Sequence, residues 1–121
     1  MENSFDQLKK HMQIFTSISE EEFHDSIQYF EEFSVKKKEM IHEAGTISTY
    51  NYFIVSGCIR LFFINQKGVE QTIDFAIENW WLTDLFSYIN QQSSEFYIQA
   101  VENAIIMKMS KTCLLYTSDA A

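Results

Sequence analysis

The spacing of apolar positions changes near residue 34. Phe5, Leu8, Met12 and Phe15 recur at helical spacing and predict a short amphipathic helix over 4–15. A second helix is expected from Ser19. Ser19 and Glu22 have capping-box spacing, Glu20 and Glu21 suit a helix N-terminus, and Phe23, Ile27 and Phe30 form an i, i+4, i+7 stripe. Beyond residue 34 the segments 50–55, 58–64 and 69–75 are rich in β-branched and aromatic residues, which predicts strands. Two more strands are expected at 96–101 and 104–109, turning at Glu102-Asn103. Gly45, Gly57 and Gly68 all fall between strands, where a positive φ is often needed. Residues 81–90 read as a short helix or an irregular crossing. The expected fold is mainly β with N-terminal helices, a sandwich or barrel. A helical segment over 1–33 precedes a β domain over 34–111.

Length and composition narrow this. A chain of 121 residues is one domain. Apolar residues are 46% and charged residues 21%, which opposes disorder, and proline is absent. The longest apolar runs are four residues, too short to cross a bilayer, and the first residues lack a signal-peptide pattern.

The formal net charge is −8, and residues 1–33, with eight acidic and two basic side chains, carry −6 of it. Such a chain offers a phosphate backbone or an anionic membrane no broad basic face. The one basic run, Lys36-Lys37-Lys38, reads as a solvated strand or turn. Cys58 and Cys113 have neither metal-site nor disulfide-framework spacing. Free thiols in a cytoplasmic protein fit best, with one disulfide left open.

Enzyme chemistry finds little support. His11, His24 and His42 form no metal-ligand pattern, so a metal-dependent barrel enzyme lacks its ligands. There is no Gly-x-Ser-x-Gly turn and no phosphate-cradling glycine loop. Cys58 reads as a small packed thiol. Trp80-Trp81 reads as core and surface packing ahead of an aromatic wall for a ligand. A binding barrel remains, with no catalytic residue, metal or cofactor assigned.

Several ordered segments then resemble one family. The run Tyr52-Phe53-Ile54-Val55-Ser56-Gly57-Cys58-Ile59-Arg60-Leu61-Phe62 resembles the central strand pair of a cyclic-nucleotide-binding domain. Asn65-Gln66-Lys67-Gly68-Val69-Glu70-Gln71 resembles its hairpin. Phe75-Ala76-Ile77-Glu78-Asn79-Trp80-Trp81-Leu82-Thr83-Asp84 resembles the entry to its phosphate-binding cassette. Phe96-Tyr97-Ile98-Gln99-Ala100-Val101-Glu102 and 105–110 resemble its last strands. The narrower resemblance is to the sensor domain of Crp/Fnr-type bacterial transcription regulators, over roughly residues 5–111.

That resemblance implies a double-stranded β-helix, or jelly roll, RmlC-like in class. It also implies a homodimer in the full-length protein, and DNA contact only through a further C-terminal domain. In the family a Gly-Glu pair holds the ribose through the Glu, and an Arg followed by Ser or Thr holds the cyclic phosphate. A gapless reading puts Thr83-Asp84 and Ser94-Glu95 at those positions. The inherited pocket positions are Ile59, Leu61, Ile73, Thr83, Asp84, Leu85, Ser94 and Glu95. Residues 79–107 contain no Lys or Arg, so the phosphate anchor is missing. The expectation is a degenerate cassette that does not bind cyclic AMP or cyclic GMP, with an unknown small-molecule effector or none. The alternative is a free-standing jelly-roll binding or interaction domain.

The tail does not continue the family pattern. Residues 112–121 lack the apolar stripe of a dimerisation helix and read as a translated adapter read-through, so the chain is expected to be a truncated fragment.

Overall fold

The computed structural model of the chain describes residues 3–15 and 19–110. The tail that the sequence reading treats as non-native, including Cys113, lies outside the described residues. Helix α1 spans Ser4–Phe15 and α2 spans Glu20–Ser26. The capping box is present. The Glu22 N–H donates to Ser19 Oγ at 3.1 Å, and the Ser19 N–H donates to Glu22 Oε1 at 3.3 Å.

The second helix is shorter than its apolar stripe suggests. A single 3-10 turn, Ile27–Tyr29, follows it, and Phe30 already opens strand β1, Phe30–Val35. Phe30 keeps its place in the core, because a residue at the start of β1 meets the same apolar layer as Phe23.

Seven further strands follow: β2 Met40–His42, β3 Tyr50–Ser56, β4 Ile59–Ile64, β5 Glu70–Ala76, β6 Trp81–Leu82, β7 Tyr97–Ala100 and β8 Ala104–Ser110. Helix α3, Leu85–Asn90, lies between β6 and β7. One four-stranded sheet has the order β1-β8-β3-β6 and the other β2-β7-β4-β5. The pairs within them are antiparallel, as a jelly roll requires. Among the described residues, no helix is long and apolar enough to cross a membrane.

Alternation along β3 and β8 builds two cores. Tyr52 and Ile54 of β3, with Ala104 and Ile106 of β8, face the other sheet and pack with Ile59, Leu61 and Ile98. Phe53, Val55 and Met107 face the opposite way and are covered by Leu8, Phe23 and Phe30. Acid on the outer faces of α1 and α2 therefore costs the core nothing. Lys37 and Lys38 form the turn between β1 and β2, as the basic run suggests.

Gly57 shows why one of the turns demands glycine. Its φ is +96°, and an added Cβ would lie 2.6 Å from the Asn103 carbonyl oxygen. The turn after β3 is thereby pressed against the turn before β8.

Candidate functional site

Asp84 ends the segment after β6 and caps α3. Its backbone is extended, and its Oδ1 accepts from the Ser87 N–H at 3.3 Å. Its second oxygen, Oδ2, accepts from Ser94 Oγ at 2.7 Å. Both side chains are buried, at 7% and 4% exposure. Ser94 is fixed in turn by its backbone. Its N–H donates to the Thr46 carbonyl and its carbonyl accepts from the Gly45 N–H.

The network continues inward through the 42–48 segment. Ser87 Oγ accepts from the Ser48 N–H at 2.9 Å and donates to the Gln92 carbonyl. Ser48 Oγ lies 3.4 Å from His42 Nε2. His42, Ser48, Asp84, Ser87 and Ser94 are thus a contiguous set of buried polar side chains whose hydrogen-bonding groups satisfy one another. Burial lowers the His42 pKa from its ordinary value, and the nearby Asp84 and Glu43 charges partly offset that.

Thr83, the position the resemblance gives to glycine, uses its hydroxyl to donate to the Tyr50 carbonyl at 2.8 Å. Ile59 and Leu61 lie in the core between the sheets. Ile73, Leu85 and Glu95 do not join them. Ile73 is 55% exposed on β5, Leu85 is 60% exposed on α3, and Glu95 is exposed. The fold therefore brings Asp84 and Ser94 together, turns the Thr83 hydroxyl to Tyr50, and leaves three of the eight positions at the surface. His42, Ser48 and Ser87 were missed, because nothing in their local spacing ties them to residues some forty positions away.

Arg60, the sole arginine of the chain, is half-buried on the outer face of β4. It donates to Gln99 Oε1 at 2.7 and 3.1 Å and to Thr72 Oγ1 at 3.0 Å, and pairs with Glu70 at 2.5 Å. It braces three strands of one sheet and does not enter the core. Among the described residues no group of three or more His, Cys, Asp or Glu could hold a metal ion. Trp81 packs on Phe53 at 5.1 Å beneath the helices, while Trp80 is 57% exposed.

The comparisons agree with this architecture. The sequence profile of the cyclic nucleotide-binding domain matches residues 32–117. No curated protein matches the sequence. Among solved structures, the catabolite activator protein of Thermus thermophilus superposes with a TM-score of 0.72 at 20% identity, covering 85% of this chain and 48% of that one. DNR from Pseudomonas aeruginosa gives 0.83 at 15% identity, covering 100% of this chain and 54% of that one. The cGMP-bound EAL enzyme Bd1971 gives 0.67 at 18%, covering 75% of this chain and 24% of that one, so this domain type also occurs within an enzyme. The chain spans about half the length of the first two. On fold and sequence profile together, this chain belongs to the cyclic nucleotide-binding domain family.

Proposed function

We propose that the chain is the sensor domain of a Crp/Fnr-type bacterial transcription regulator whose cassette is closed on itself. Cyclic AMP and cyclic GMP do not bind it. The observation that carries this reading is the buried Ser94–Asp84 hydrogen bond. In the family those two positions face the phosphate and the ribose. Here each is the other's partner.

The energetics support the same reading. A charge-assisted hydrogen bond contributes about 1.5–3 kcal/mol, and a bidentate Arg–phosphate pair stands at the strong end. Ser94 offers no cation. Admitting a ribose at Asp84 would only exchange the Ser94 hydroxyl for a ribose hydroxyl on the same carboxylate, so that contact adds little net affinity. The missing anchor corresponds to about ten- to a hundredfold in affinity. Thr83 adds a Cβ where the family's glycine lets the backbone approach a ligand.

DNA contact in this reading belongs to a further domain, and dimerisation to the full-length protein, acting in the cytoplasm. The acidic chain suits that division, since a net charge of −8 opposes binding to a phosphate backbone. The encoding locus tests it. A reading frame that continues past Ser110 into an apolar helix and a helix-turn-helix supports the regulator. A native stop shortly after β8 would support a free-standing jelly-roll domain instead.

A further inference from the structure

Strand β8 carries a lysine on its inward row. Ala104 and Ile106 face the opposing sheet, and Lys108 is the next residue on that side. It is aligned with Glu31 on β1 and with Tyr52 on β3. Its ammonium lies 4.3 Å from the Tyr50 ring centroid and 5.6 Å from that of Phe33. Phe33, Tyr50 and Tyr52 form a connected aromatic wall, with centroid separations of 6.2 and 6.4 Å. The wall borders the inter-sheet core, with Phe33 and Tyr50 only partly buried against it, next to Thr83, whose hydroxyl donates to the Tyr50 carbonyl.

The charge balance at this end is incomplete. The Lys108 ammonium has one ionic partner among the described residues, Glu31 Oε2 at 3.5 Å. The Glu31 side chain is 71% exposed and Lys108 only 24%. An ion pair with one side so exposed is weak and readily exchanged. The Tyr50 and Tyr52 hydroxyls have no hydrogen-bond partner among the described residues. Burial raises the Tyr52 pKa to about 12, so its phenol remains a donor across the physiological range. A shielded cation and two phenols thus lie on one aromatic stretch of this sheet.

We propose that this aromatic shelf is a binding site for a compact carboxylate with a planar apolar body, in which the ligand carboxylate replaces Glu31 on Lys108. The half-buried Phe33 ring takes the planar body, and the Tyr50 and Tyr52 hydroxyls donate to the carboxylate. The shelf lies on β1, β3 and β8, and none of its residues is a cassette position. It gives the proposed sensor an effector class that needs no phosphate anchor, but binding there stands apart from whether the cassette is closed.

Benzoate is the probe, with benzyl alcohol as its uncharged counterpart, titrated into the full chain and followed by amide chemical shifts. Benzoate is expected to saturate and to move Glu31, Phe33, Tyr50, Tyr52 and Lys108. Lys108→Met keeps the aliphatic stem over the rings and removes the charge, and is expected to weaken benzoate at least about tenfold. Glu31→Gln, on an exposed edge-strand side chain, removes the competitor and is expected to tighten binding about threefold. The proposal is overturned by any of three results: no saturable benzoate shifts, equal affinity for benzyl alcohol, or an affinity unchanged in both variants. Cyclic AMP titrated into the same sample reads the cassette separately. Shifts confined to α3 and residues 91–95 would overturn the closed cassette and leave the shelf standing.

Discussion

Ser94 Oγ and Asp84 Oδ2 lie 2.7 Å apart, and the bond between them joins the two ends of the α3 excursion. One residue caps the helix and the other anchors the chain returning from it. The contact ties the start of α3 to the chain that follows it. Asp84→Ala is expected to lose both the cap and the Ser94 partner. The expected cost is about 2–4 kcal/mol, since a helix cap contributes ~1 and an abandoned buried hydroxyl ~1–3. Thermal or urea unfolding measures it. A change under about 0.5 kcal/mol would show that the network does not hold the helix.

His42 links this network to pH. Its folded-state pKa is below the ordinary value of 6.5, chiefly through burial. A histidine depressed on folding contributes stability that is fully present above the unfolded value. That stability is lost as pH falls through the folded value. Unfolding midpoints recorded below pH 6.5 are therefore expected to fall more steeply in the wild type than in His42→Gln. His11 is also depressed by burial and leaves a residual slope in both. Parallel curves would contradict the assignment to His42.

Gly57 and Gly68 separate steric crowding from backbone strain. Both have positive φ, +96° and +81°, but only Gly57 faces close neighbours. Gly68→Ala is expected to cost about 1–2 kcal/mol for the left-handed backbone alone. Gly57→Ala adds an overlap with Asn103 and Ala104 and is expected to cost about 1–3 kcal/mol more. Equal losses in denaturant unfolding would mean that the contact between the two turns relaxes freely.

Cys58 is expected to react slowly with alkylating reagents. Burial, and then the Glu102 charge, push its thiol pKa up, which lowers the thiolate fraction at neutral pH. Peptide mapping after brief iodoacetamide treatment at pH 7 checks this. Modification at Cys58 faster than for glutathione in the same tube would contradict a packed, unactivated thiol.

The strand pattern was legible because β-branched and aromatic residues cluster over β3, β4 and β5, with Gly57 and Gly68 marking the turns between them. Phe30 shows where the reading fails. Phe23, Ile27 and Phe30 fit a helical stripe and also fit a helix, a 3-10 turn and a strand start that bury the same side chains. Ile73 fails differently. Its β-rich surroundings are real, but β5 is an edge strand whose residues Glu70–Phe75 are all exposed. The acidic cassette position was readable at Asp84, whereas its partner was not. A ten-residue separation across a helix carries no periodic signal. The absence of Lys and Arg over 79–107 was visible too, but the inward turn of Lys108 depends on the phase of β8.

Titration calorimetry of cyclic AMP against the full chain at neutral pH tests the central claim most directly. The closed Asp84–Ser94 contact, without a cation at Ser94, predicts no saturable heat at ligand concentrations up to about 1 mM. Stoichiometric binding with a dissociation constant of about 10 µM or tighter, abolished in Asp84→Ala, would contradict it.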